Sequence, residues 1–247
     1  ASLVWTWKPF MDEFWAATSS NPKSRAQQGK IWTKQIGTSL RWILTFMRRQ
    51  KGEVSRTWSL ASHLEAAEHL AVVFDASPWG MGAVLYRGGC PIAFFADAIT
   101  VHDVKRYRHK VGDHRGQQVW ESLALLVALK TWADLIMGHR FSWRVTLKGD
   151  NVTALNLVLR MKAPAGALKA IAKEVAMVLS VSPYRPASAM HIPGLTNTLA
   201  DALSRKFEPS DAVWTLPKEL EGVTEVKLPT RAAGYYTVDY TPRGSVG

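Results

Sequence analysis

From residue 70 onward the apolar positions alternate between short runs and long helical stripes. Leu70 to Phe74 is a run of five apolar residues, with Val72, Val73 and Phe74 all strand formers. It predicts a buried central strand over 70–75. Ser77, Pro78 and Gly80 supply a turn, and Gly88-Gly89 a second one. Strands at 81–87 and 91–96 then complete an antiparallel meander. Residues 117–138 are apolar almost all round, which predicts a central packed helix stopped by Gly138. Residues 143–149 alternate like a strand. Helices are expected over 153–161 and 167–181, a fifth strand over 188–192, and a last helix from Thr196 or Asn197.

The flanks read differently. Six of the eleven Trp fall between Trp5 and Trp58. Phe10, Phe14 and Trp15 keep helical spacing, as do Ile36, Leu40, Ile43, Leu44 and Met47. Asn21-Pro22 separates these two helices, and Glu65 and Glu68 fall in a short helix before the first strand. Beyond Lys206 the chain is punctuated by Pro209, Pro217, Pro229 and Pro242 and weakly patterned. The expected organisation is a helical, Trp-rich segment over 1–69, an α/β domain over 70–206, and an extended tail or linker over 207–247.

Net charge alters this picture. The chain of 247 residues carries a formal +11. The excess lies before residue 207, since the tail holds 4 Lys and Arg against 6 Asp and Glu. A basic chain of this size suggests a polyanionic partner, most simply nucleic acid. Lys105, Arg106, Arg108 and Lys110 concentrate the charge, with Tyr107 among them; they read equally as a phosphate-contacting patch and as a solvated loop or helix start. One cysteine, Cys90, excludes an internal disulfide framework and suits a reducing, intracellular compartment. No apolar stretch is long enough to span a bilayer, and the first residues lack the pattern of a signal peptide.

Four carboxylates stand at recurring places. Asp75 ends the first strand and Asp150 the fourth. Glu121 lies on the apolar stripe of Ala124, Leu125, Ala128 and Trp132. Asp201 sits in the last helix between small neighbours. A turn-forming Asp75, an Asp150 that caps the next helix and an Asp201 on a helix surface would each be ordinary. Two strand ends and two helices can also converge at one edge of a mixed sheet. Converging carboxylates raise each other's pKa unless divalent cations bind. Oxygen ligands without a Cys cluster point to Mg²⁺ or Mn²⁺.

The order strand–Asp, hairpin, helix–Glu, strand–Asp, helix–Asp resembles the ribonuclease H fold, with a five-stranded mixed sheet. Phe-Asp-Ala-Ser-Pro-Trp-Gly-Met-Gly-Ala-Val-Leu and His-Ile-Pro-Gly-Leu-Thr-Asn-Thr-Leu-Ala-Asp-Ala-Leu-Ser-Arg resemble the ribonuclease H domains of retroelement reverse transcriptases, of the long-terminal-repeat type and related ones. The resemblance covers about residues 70–206. Residues 1–69 are more loosely similar to the thumb or connection segment that precedes such domains. No polymerase carboxylate motif is present, so polymerisation is not expected.

The resemblance implies hydrolysis of the RNA strand of RNA·DNA hybrids with two Mg²⁺ (or Mn²⁺) ions, beside the polymerase part of the same polyprotein. It implies that Asp75, Glu121, Asp150 and Asp201 hold the ions. His191 would assist catalysis or product departure from a mobile loop, and Asn197 would shape that loop or touch substrate. Two positions depart from the pattern. Gly149 precedes Asp150 where Thr or Ser is more usual, and Leu195-Thr196 is less polar than expected. Two other readings compete. One is an inactive module of the same fold, kept for binding or assembly. The other is an integrase or transposase, with Glu174 as its last acid; it leaves Glu121 and the His-Pro-Gly motif unexplained.

Overall fold

The computed structural model describes residues 2–18, 30, 33–48, 68–133, 143–163, 166–181 and 188–237. Its centre is a mixed sheet. Strands β1 (Glu68–Ala76), β2 (Gly80–Arg87) and β3 (Cys90–Ala98) form the expected meander, with Asp75 opposite Gly82. Strand β4 (Trp143–Gly149) adds parallel to β1, and β5 (Ser188–His191) parallel to β4. Strands next to β1 on the β4 side are reached through helices, which is why they run parallel.

The sheet has six strands, not five. The sixth, β6 (Thr224–Glu225), comes from the tail and pairs parallel with β3. The first strand also begins earlier than expected. Glu68 belongs to β1 and not to a preceding helix, because it continues the parallel register with Trp143. The Asn21-Pro22 break lies outside the described residues.

Alternation along the strands gives the sheet two apolar faces. On one face Leu70, Val72, Phe74 and Leu85 are fully buried, with helix α4 (Gln117–Thr131) packed against β1 and β2. Helices α5 (Val152–Arg160) and α6 (Ala167–Val181) complete that core. The N-terminal helices α1 (Ser2–Thr18) and α2 (Thr33–Met47) join it through Phe10 and Trp42, whose rings lie 4.9 Å apart. Lys173 on α6 meets Glu13 at 2.7 Å, and the Ser39 hydroxyl donates to the same carboxylate at 2.6 Å.

The opposite face carries a smaller core of Val84, Phe94, Leu203 and Leu220. Helix α7 (Thr198–Ser204) supplies Leu203, and the tail supplies Leu220 with Trp214 and Leu216 against it. The Trp214 indole N–H donates to the Ala202 carbonyl at 2.9 Å. The tail is extended, but over its described length to residue 237 it is laid back on the domain.

Glycine decides how closely α7 approaches. A Cβ on Gly82 would lie 2.3 Å from the Cβ of Leu203 and 2.8 Å from the Ala200 carbonyl oxygen. Replacing Gly82 with Val should therefore push α7 off the sheet and cost about 1–3 kcal/mol, as overpacking does. Gly37 on α2 has open space around it, so Gly37→Ala should be neutral or stabilising. Urea midpoints of the two variants check the contrast.

Candidate metal centre

Each carboxylate is set by local chemistry. Asp75 is the penultimate residue of β1, and the turn that follows is tied by Ser77. The Ser77 hydroxyl accepts from the backbone N–H groups of Trp79 and Gly80 and donates to the Ser204 carbonyl at 2.7 Å. Ser204 in turn places its hydroxyl 3.0 Å from Asp75 Oδ2. Glu121 rides on α4, whose first-turn Gln117 donates to Glu121 Oε1 at 3.0 Å and to the Ala76 carbonyl. Asp150 follows β4. It is not the cap of α5: the Asn151 side chain accepts from Thr153 and Ala154 N–H groups at 2.8 and 3.1 Å. That arrangement leaves the Asp150 carboxylate for the sheet edge.

Asp75, Glu121 and Asp150 converge, each offering an oxygen within 4.8 Å of the others. The first two are buried. Burial, and then the neighbouring charges, push Asp75 up to about 7 and Glu121 up to about 8. Glu121 Oε2 and Asp150 Oδ1 are buried oxygens with no hydrogen-bond donor. An all-oxygen donor set with orphaned, buried carboxylate oxygens fits a hard divalent cation.

Asp201 stands apart from the other three. Its charge acts on Asp75 and helps raise it. Its own Oδ1 accepts from Arg205 Nε at 2.8 Å, one helical turn on. His191 ends β5 opposite Gly149, exposed, with its Nε2 2.9 Å from the Asp150 carbonyl oxygen. The Pro-Gly turn after it passes over the site, since a Cβ on Gly194 would lie 3.3 Å from Asp150 Oδ2. At Gly149 the room for a side chain is taken by Phe74, whose ring would stand 2.9 Å from an added Cβ.

Asn197 is buried and donates to the Phe74 carbonyl at 3.2 Å, which ties the loop to β1 and accords with its loop-shaping role, not with a substrate contact. Two sequence readings change. Arg106 is turned inward: it pairs with Glu174 at 3.4 Å and lies over the Tyr236 ring, so its side chain does not contribute to a surface patch. Its neighbours Lys105, Arg108 and Lys110 are exposed. Glu174 is fully buried in that ion pair and lies outside the carboxylate group, which removes the integrase arrangement. In the basic stretch the helix-start reading holds. Helix α3 (Val101–Tyr107) starts there on a capping box between Thr100 and Asp103, a Thr-x-x-Asp signal visible in the sequence.

Gln117, Asn151 and Ser204 were not singled out by sequence. Gln117 had a usable signal, its i,i+4 spacing to Glu121 on one stripe. Asn151 had one as well, being a better-placed cap than Asp150. Ser204 had none, because its partner is 129 residues away.

No protein-family model matches the chain, and no curated protein does. Among solved structures the chain is similar to an N-terminal RNase H domain from Mycobacterium tuberculosis, at 16% identity over 55% of this chain and 95% of that one, TM-score 0.40. It is similar to RNase H1 of Halobacterium salinarum, at 21% identity over 57% and 96%, TM-score 0.41. It is also similar to a foamy viral protease-reverse transcriptase in complex with dsDNA, at 14% identity over 85% of this chain and 37% of that one, TM-score 0.28. The fold class stands on the sheet itself: β2 and β3 antiparallel on one side of β1, β4 and β5 parallel on the other, with helices on both faces. This is the ribonuclease H-like α/β arrangement.

The raised carboxyls set a pH dependence. Between about pH 4 and 8 the folded chain holds protons on Asp75 and Glu121 that the unfolded chain has released, so stability falls as pH rises through that window. The metal-free chain should lose stability between pH 5 and 8, and Glu121→Gln should lose less. Mg²⁺ should raise the denaturation midpoint more at pH 8 than at pH 5, since binding must displace those protons. Urea titrations with and without Mg²⁺ check both.

Proposed function

We propose that the chain is a metal-dependent endonuclease that hydrolyses the RNA strand of RNA·DNA hybrids, as the ribonuclease H part of a retroelement reverse transcriptase. The observation that carries this reading is the group of Asp75, Glu121 and Asp150 with its orphaned buried oxygens. A module freed of chemistry need not keep such charge buried. Asp75, Glu121 and Asp150 would hold Mg²⁺ or Mn²⁺, and Asp201 would join them once its carboxylate exchanges Arg205 for an ion. Two bound ions supply activation of a water and stabilisation of charge on the attacking and leaving oxygens.

The chain's own residues do the rest. Gln117 fixes the Glu121 carboxylate against β1, and Ser204 does so for Asp75. The buried position of both lowers the local dielectric in which charge develops. His191 is exposed beside Asp150 and can exchange protons with solvent and the leaving group. Lys105, Arg108 and Lys110 would contact phosphates of the hybrid. The polymerase part of the same polyprotein would be the natural partner, with residues 1–69 as the connecting segment, 70–206 as the nuclease domain and 207–247 following it. No helix among the described residues is long and apolar enough to cross a membrane.

Substitutions separate the roles. Asp150→Asn should abolish cleavage of a labelled hybrid while leaving hybrid binding in place. His191→Ala should reduce the rate by roughly 10²–10⁴-fold, the range of general acid–base assistance, with metal dependence little changed. Single-turnover and steady-state rates on the same hybrid locate the loss in chemistry or in release. A His191→Ala protein as dead as Asp150→Asn, and without metal binding, would contradict the division.

A further inference from the structure

The last described stretch, residues 226–237, is fastened to the domain by charge and not by packing alone. The Arg231 side chain is fully buried. Its Nε lies 3.0 Å from Asp103 Oδ2, and its two other nitrogens reach Asp97 and the Ala98 carbonyl. The Tyr236 hydroxyl donates to Asp103 Oδ1 at 2.7 Å. Both oxygens of Asp103 are therefore held from the tail. The same Oδ2 accepts from the Thr100 N–H at 2.9 Å, closing the capping box that starts α3. A second group of contacts runs beside the first. Arg106 on α3 lies 4.1 Å over the Tyr236 ring and pairs with Glu174, and the Thr237 N–H donates to Glu174 at 2.8 Å.

A buried ion network is a poor source of net stability, because desolvation offsets the attraction. Apolar residues could fasten the tail as well. What the guanidinium fork adds is direction: it binds three acceptors in fixed geometry. The object it orients is α3, and α3 carries Lys105 and runs on into Arg108 and Lys110. The far end of that basic segment is tied to the carboxylate edge. The Gly112 N–H donates to the Pro78 carbonyl at 2.9 Å, in the turn after Asp75, and His114 meets Trp79 edge-on at 6.3 Å. The segment is thus pinned at the metal centre on one side and by the tail on the other.

We propose that Arg231 is a positioning residue for nucleic-acid binding: through Asp97 and Asp103 it fixes α3, and so sets where Lys105, Arg108 and Lys110 meet the phosphate backbone relative to the carboxylates. The proposal rests on reading that segment as phosphate-contacting. The test uses the full chain and a labelled RNA·DNA hybrid. Arg231→Lys keeps the charge and loses the fork. Tyr236→Phe removes one hydrogen bond and serves if Arg231→Lys does not fold. KM should rise about tenfold in Arg231→Lys and less in Tyr236→Phe, as contacts within one network couple. The saturated single-turnover rate and the half-saturating Mg²⁺ concentration should not move.

Combining Arg231→Lys with Lys105→Ala and Lys110→Ala should raise KM by less than the product of the separate effects, because misplacing absent cations costs nothing. Folded Arg231→Lys and Tyr236→Phe proteins with lowered melting temperatures and unchanged KM overturn the proposal, leaving the network a fastening only. Should Lys105→Ala with Lys110→Ala itself leave KM and its salt dependence unchanged, the reading of the basic segment fails, whatever Arg231 does.

Discussion

Three carboxylates within 4.8 Å, two of them buried, are the constraint around which the domain is built. Such a group is unfavourable in a folded chain unless protons or cations neutralise it. Several features of the fold serve to hold it regardless. Gly82 lets α7 close on β2 and brings Ser204 to Asp75. Gln117 spans from Ala76 to Glu121, joining α4 to β1 at the sheet edge. Asn151 takes over the capping of α5 and leaves Asp150 unengaged. Each device uses a small or amide side chain that adds no charge, so the negative potential at the edge is left for a ligand.

Much of this was legible in the sequence because it rests on local patterns. The run Leu70 to Phe74, the Gly88-Gly89 turn and the apolar helix after Gln117 specify the meander and its covering helix by period and turn chemistry alone. The carboxylates could be placed because each falls at an element boundary or on an apolar stripe. What escaped were contacts between distant segments. Asn197 shows the limit: a loop-shaping role could be expected of it, but not its partner, the Phe74 carbonyl 123 residues away inside the domain. Arg106 shows it too, since only the fold brings Glu174 and Tyr236 to its side.

The tail was the least legible part. Proline-rich, weakly patterned sequence commonly signals a linker, and residues 208–237 do lack long elements. Yet Trp214, Leu216 and Leu220 cover the second face of the sheet, and a two-residue strand pairs beside β3 at its edge. Arg231 is fully buried although it is charged, because Asp97 and Asp103 pair with it. Scattered apolar anchors with no period, and one arginine whose partners are more than 125 residues away, leave no trace that periodicity can find. The tail closes on α3, which leads into the basic segment beside the carboxylate group.

The measurement that bears most directly on this account is Mg²⁺-dependent cleavage by the intact chain of three labelled substrates side by side: an RNA·DNA hybrid, duplex RNA and duplex DNA. A carboxylate group that holds divalent ions beside a basic segment predicts Mg²⁺-dependent scission of the RNA strand in the hybrid, with both other duplexes left intact and chelation abolishing the reaction. An inert hybrid with the folded, Mg²⁺-saturated chain, or equal cutting of duplex DNA, would contradict it.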